Sequence, residues 1–214
     1  MSRDTIDPPE ILHRVWWRFY KNKRPLGCSH APAVARPAQF DRVLISVNAS
    51  FQGPSRSTLL VVGTAGAGCY VLDHRRVAGF SYTCSTICGL AVSYPGATVL
   101  VGDTANGSAI VNALRRDLPN LIAAVVEDKL NDAAVINVTR RELPQLVARH
   151  PIGSRATRDA VVSSAVEAER VFLLDGALWL DKLVGGRARA RGRARDALSQ
   201  ALSYLDAALQ KPSE

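Results

Sequence analysis

The sequence predicts an α/β protein whose mixed sheet is flanked by helices. Two observations carry that expectation. Three short apolar runs follow one another closely between residues 42 and 72, the pattern of an antiparallel meander. From residue 80 onward, helical and strand-like segments alternate, the pattern of strand–helix units on a layered sheet.

The elements follow in order. Residues 8–20 are expected to be a helix: Asp7 is placed to cap it, Pro8 and Pro9 suit its first turn, and Glu10 sits at the capping-box position. Ile11, Val15 and Phe19 recur at helical spacing within it. The cluster Trp16, Trp17, Arg18, Phe19 and Tyr20 offers faces for stacking on bases, but packing against the domain is the favoured role. Residues 21–39, rich in Pro, Ala and Lys/Arg, are expected to be a linker. The chain therefore divides into an N-terminal helix and linker, 1–39, and a folded domain, 40–210. Strands are expected over Arg42–Asn48, Thr58–Gly63 and Cys69–Leu72. The segment Gly63, Thr64, Ala65, Gly66, Ala67 and Gly68 lacks the Lys-Ser/Thr ending of a phosphate loop and leads into a strand, so it is expected to be a hairpin turn. No other segment has the Walker pattern of a P-loop ATPase. A helix is expected over 80–93, ended by Tyr94-Pro95-Gly96, then a strand over Ala97–Val101.

A near-duplication with a period of 25 follows. Residues 101–123 match residues 126–148: Asp103 with Asp128, Asn106 with Asn131, Asn112 with Asn137, Arg115-Arg116 with Arg140-Arg141, and Leu118-Pro119 with Leu143-Pro144. Two copies are too few for a solenoid. Each copy is expected to hold a strand end, an acidic turn and a helix.

Composition bounds the function classes. The 214 residues are 47% hydrophobic and 21% charged, ordinary values for a globular protein. A net charge of +8 and a pI of about 9.7 favour a polyanionic partner. No stretch is long and apolar enough to span a bilayer, and the N-terminus lacks the apolar core of a signal peptide. The expected location is the cytoplasm, without membrane association. Cys28, Cys69, Cys84 and Cys88 have no companion His or Cys set of zinc-site spacing, and buried free thiols are expected.

Several motifs, taken in order, resemble the nuclease domains of phage large terminases. Phe40 to Phe51 resembles the family's first strand, with Asn48 where an Asp normally precedes Ala-x-Phe. Tyr70 to Arg76 resembles the third strand and its exit. Tyr94 to Val101 resembles the approach to a Val-Glu-Asp-Lys-Ala-Asn-Gly motif, which is divided between the two copies. The first keeps Ala105-Asn106-Gly107 but has Gly102 at the Glu position, and the second keeps Val126-Glu127-Asp128-Lys129. Gly153 to Arg158 resembles a basic turn, and Val166 to Leu174 a helix end and strand. Gly192 to Ala197 resembles the Asp-Asp-x-x-Asp-Ala that opens the last helix, with only Asp196 kept.

The resemblance implies a ribonuclease-H-like fold and metal-dependent cleavage of concatemeric viral DNA during packaging in a bacterial host. It implies Mg²⁺ or Mn²⁺ as cofactor, double-stranded DNA as partner, and a separate ATPase domain or portal as further partners. Hydrolysis there uses two divalent ions held by hard oxygen ligands. Asn48, Asp103, Glu127 and Asp196 are the candidate catalytic and metal-binding residues. Asn48 supplies no charge, Gly192 and Arg193 cannot ligate, and Asp103, Asp128 and Asp196 equally suit helix starts, where a carboxylate caps free amides. Cleavage is therefore expected to be impaired, with a non-catalytic DNA- or partner-binding remnant as the alternative. Arg155 and Arg158 in the basic turn, and Arg187, Arg189, Arg191, Arg193 and Arg195 in an expected flexible loop, are the candidate DNA contacts.

Overall fold

A computed structural model describes residues 17–21, 34–51, 55–102, 105–130, 144–150, 153–180, 183 and 188–209. Its centre is the expected meander. Strands β3 (Arg42–Asn48), β4 (Ser57–Ala65) and β5 (Gly68–Val77) pair antiparallel in sequence order. β4 and β5 close in a hairpin at Gly66–Ala67, where Gly66 takes a φ of 55° that suits glycine. Helix α1 (Phe80–Ser93) then crosses to β6 (Thr98–Gly102), which lies parallel to β3. Helix α2 (Ala105–Leu130) follows, and β7 (Gln145–Arg149) lies parallel on the outer edge of β6. Helix α3 (Arg155–Glu167) leads to β8 (Val171–Leu174), parallel to β5, and helix α4 (Ala188–Leu209) closes the described chain.

With β1 (Arg18–Lys21) and β2 (Val34–Ala35) beside β8, the sheet has eight strands in the order β2-β1-β8-β5-β4-β3-β6-β7. Sheet alternation sorts the core into two layers. Leu44, Leu60, Val62, Val71, Leu100 and Leu173 face α3 and α4. Ile45, Val47, Leu59, Val61, Val99 and Val101 face α1 and α2. The sheet is thus mixed and covered by helices on both faces.

Several local expectations are corrected. Residues 18–21 are a strand, not the end of a helix. Trp17 and Phe19 join one core layer while Tyr20 joins the other, the period of two that aromatic residues favour in a sheet. Within the expected linker, Val34–Ala35 pairs with that strand. Residues 8–16 lie outside the described residues. The second copy of the near-duplication does not begin with a strand end at residue 126, because α2 runs unbroken through it to Leu130, past Pro119. The edge slot beside β6 is filled by Gln145–Arg149 instead. The arginine segment from residue 188 onward is the first part of α4, not a loop. Asp196 consequently lies two turns inside α4 and does not cap it.

Among the described residues Cys69, Cys84 and Cys88 are buried free thiols, as expected, and Cys28 lies outside those residues. Burial pushes Cys69 and Cys88 up to about 12 and raises Cys84, so none is a ready nucleophile.

The start of α2 abuts the end of β6. A Cβ on Gly107 would lie 1.7 Å from the Gly102 carbonyl oxygen, so only glycine fits there. Gly89 in α1 has nothing within 4 Å of its would-be Cβ. Gly107→Ala should cost about 3 kcal/mol or more, since backbone must move. Gly89→Ala should stabilise by about 0.5–1 kcal/mol through helix propensity. Urea unfolding of the two variants checks both signs.

Candidate functional site

Three parallel strands end side by side under α4. Val47 pairs with Val101, so Asn48 and Gly102 are the next residues in that ladder, and Gly102 pairs with Arg149. Residues in register on parallel strands point to one side of the sheet. Asn48, Gly102 and Arg149 therefore form a row facing α4, at the carboxyl ends of the strands, where open α/β sheets place their sites.

Helix α4 is fixed over that row by polar contacts. The Ser46 hydroxyl, fully buried, donates to the Ala197 carbonyl at 2.7 Å. The Asn48 amide Nδ2 donates to Asp196 Oδ2 at 3.3 Å. The other orientation of that amide would set its carbonyl against the carboxylate, so electrostatics favours the donor there. Arg158 Nε donates to Asp196 Oδ1 at 2.7 Å, and its Nη1 to the Gly153 carbonyl at 3.1 Å. Arg158 sits in the first turn of α3, whose start is capped by the Ser154 hydroxyl accepting from the Thr157 amide. Both oxygens of Asp196 are thereby engaged, one by a guanidinium and one by an amide.

A cavity of about 160 Å³ opens beside this pair. It is lined by Asn48, Gly102, Arg149, His150, Arg158, Asp196 and, from successive turns of α4, Ser199, Gln200 and Ser203. Arg149 lies over the Tyr204 ring, 5.8 Å from its centroid, which holds the guanidinium at the cavity wall. Gln200 Nε2 is buried without a hydrogen-bond partner, an arrangement that costs about 1–3 kcal/mol.

Gly102 and Gly192, the two glycines for which the resemblance implies acids, are each backed by another side chain. A Cβ on Gly102 would meet Gln200 Oε1 at 3.2 Å. A Cβ on Gly192, one turn before Asp196 on α4, would meet Arg155 Nη2 at 2.7 Å. Arg193 turns away and donates to the Arg56 carbonyl and the Ser55 hydroxyl, at 2.9 and 2.8 Å. It neither ligates nor repels at the cavity.

Of the sequence-predicted residues, Asn48, Arg158 and Asp196 meet at one place. Glu127 does not stand at the end of a strand near Asn48. It lies 22 residues along α2 from the end that abuts Gly102, about 33 Å at 1.5 Å per residue for a straight helix. Asp103 and Arg187 lie outside the described residues, and Arg189 and Arg191 fall in the first turn of α4. Arg155 and Arg195 flank the Asp159 carboxylate, each at 3.9 Å. Sequence reasoning missed Arg149, His150, Ser199, Gln200 and Ser203. The i, i+4 spacing of Ser199 and Ser203, three residues after Asp196, was a usable signal. Arg149 carried none, because its place at the site follows only from the pairing of β7 with β6.

The described donors do not fit a pair of divalent cations. Asp196 is the one carboxylate among the cavity's lining residues, and it is already shared by Arg158 and Asn48. Among the described residues no three His, Cys, Asp or Glu side chains converge to hold a cation. No helix among them is long and apolar enough to cross a membrane.

Ser46→Ala should cost about 0.5–1.5 kcal/mol, the net worth of one buried hydrogen bond, because the Ala197 carbonyl keeps its helical amide partner. Arg158→Ala should cost at most about 1 kcal/mol, because that pair is partly solvated, with 22% and 25% of the two side chains exposed. Thermal unfolding midpoints of the two variants give the order.

No family model and no curated protein matches the sequence. Solved structures do match the fold. The large terminase nuclease of thermophilic phage G20c with bound zinc superposes with a TM-score of 0.54 at 14% identity, covering 91% of this chain and 96% of that one. The same nuclease with bound magnesium gives 0.55 at 12% identity, with 91% and 95% covered. The large terminase of a second thermophilic bacteriophage, in complex with ADP, gives 0.51 at 10% identity. That match covers 82% of this chain and 42% of the larger protein. The fold is that of the terminase nuclease domains, a ribonuclease-H-like sheet.

Proposed function

We propose that the chain is a DNA-binding domain of the terminase-nuclease type in which metal-dependent cleavage is impaired. The Arg158–Asp196 pair carries this reading. A guanidinium and an amide occupy the carboxylate that a divalent ion would need, and the neighbouring acid positions are Asn48, Gly102 and Gly192. Two ions bring four positive charges to the site, and a carboxylate already neutralised by arginine cannot balance them. The Mg²⁺ or Mn²⁺ of the resemblance would thus find few hard oxygen ligands.

Binding draws its support from the excess of arginine. Arg155 has its side chain 64% exposed, and Arg189 and Arg191 lie on the turn of α4 that precedes Gly192. Arg193 and Arg195 have internal roles and are assigned to the fold. Double-stranded DNA is the proposed partner, with a separate terminase ATPase domain as the further one and the host cytoplasm as the setting.

Plasmid nicking in magnesium or manganese should be more than about 100-fold slower than for a nuclease of this fold with its acids intact. Even an outer partner of a metal ligand is worth about 10–100-fold. Asn48→Asp alone should restore little, and Asn48→Asp with Gly102→Glu and Arg158→Ala should restore more. Brisk magnesium-dependent cleavage by the unaltered chain, lost in Asp196→Asn, would refute the reading.

Duplex binding should be weak, insensitive to sequence and steeply salt-dependent. Changing Arg155, Arg189 and Arg191 to Ala should reduce the slope of log K against log salt by about 1 for each arginine that engages a phosphate. An unchanged slope in anisotropy titrations would show those arginines to be merely solvated.

A further inference from the structure

We infer that the cavity beside Asp196 is a metal-independent receptor for a single phosphate group. The inference rests on the DNA-binding reading above in taking a DNA end as one source of that phosphate.

Charge gives the first argument. Two guanidiniums, Arg149 and Arg158, face one carboxylate, and both oxygens of that carboxylate are engaged within the protein. Among the described lining residues the remaining charge is positive. Arg149 is held by the Tyr204 ring, which leaves its planar fork of donors for an oxyanion. Arg158 commits Nε and Nη1 to Asp196 and Gly153, and its Nη2 to neither.

Donor chemistry gives the second. Ser199 and Ser203 present hydroxyls from successive turns of α4, and His150 and Gln200 complete the polar wall. Such a set recognises a tetrahedral oxyanion and offers no hard-ligand cage for a cation. Size agrees: the cavity of about 160 Å³ is an order of magnitude above the about 10–15 Å³ that one water requires.

Position gives the third. Arg149 ends β7 in register with Gly102, so its guanidinium enters the row that Asn48 and Gly102 begin. The place where acids would hold cations against a phosphodiester is occupied by a cation that belongs to the chain. The row then binds phosphate directly.

The test uses the full chain in EDTA. Potassium phosphate should raise the unfolding midpoint by about 2–4 °C over potassium chloride of matched ionic strength. Arg149→Ala should remove the rise, and Arg149→Lys should keep part of it, as a point charge without the fork. If Arg149→Ala does not fold, the Lys variant and Ser203→Ala decide by a reduced rise. No rise in the unaltered protein, or an equal rise in the Arg149 variants, overturns the inference.

Short duplexes with 5′-phosphate or 5′-hydroxyl ends separate the sources. A preference of about tenfold for phosphorylated ends assigns the cavity to DNA ends, and equal affinity with the phosphate effect intact assigns it to free phosphate. Duplex binding that survives without any phosphate effect overturns this inference alone. A phosphate effect without duplex binding overturns the DNA reading and leaves the receptor.

Discussion

The site depends on how α4 is locked onto the ends of β3 and β6. The Ser46 hydroxyl reaches the Ala197 carbonyl from within the sheet, and Asp196, the residue before, is gripped by Asn48 and Arg158. A buried hydroxyl on a helix carbonyl favours one rotation of the helix, since any other strands the Ser46 hydroxyl. With that rotation fixed, Gly192, Asp196, Ser199 and Ser203 fall toward the strand ends, and Leu198, Ala201 and Leu202 fall into the core. The polar lock and the apolar stripe specify the same placement.

Three glycines shape the surroundings of the lock. At Gly102 the missing side chain leaves room for Gln200, and at Gly192 for the Arg155 guanidinium. At Gly107 the missing Cβ lets α2 begin directly against the Gly102 carbonyl. The first two are positions for which the sequence resemblance implies acids. Their neighbours are an amide and a cation, so the site is filled from the sides and the Asp196 carboxylate is satisfied within the protein. That local consistency is what a folded domain without bound cations requires, because clustered bare carboxylates repel one another.

Much of this was legible in the sequence. The meander, the helix at 80–93 and the strand after it followed from apolar runs and turn residues. The order of motifs gave the fold. The near-duplication misled. Pro119, Asn120, Leu121, Ile122 and Ala123 lie in a helix, whereas Pro144, Gln145, Leu146, Val147 and Ala148 lead into and form an edge strand. Two such similar segments differ because one continues a helix already nucleated at residue 105, and the other meets an open sheet edge. Local propensity was too weak to separate them. The same limit hid Arg149, whose role exists only once its strand is placed in register with Gly102. Arg158 was legible as a basic residue near a turn, but its pairing with Asp196, 38 residues away, depends on how α3 crosses α4.

The central claim is that Asp196 is held by Arg158 and Asn48 and does not serve a divalent ion. Titration of the purified chain with manganese, followed by the loss of the free-ion paramagnetic resonance signal, tests it most directly. The account predicts no saturable site in the unaltered protein, and the appearance of one when Arg158→Ala is combined with Asn48→Asp and Gly102→Glu. A saturable manganese site in the unaltered protein, abolished by Asp196→Asn, would contradict it.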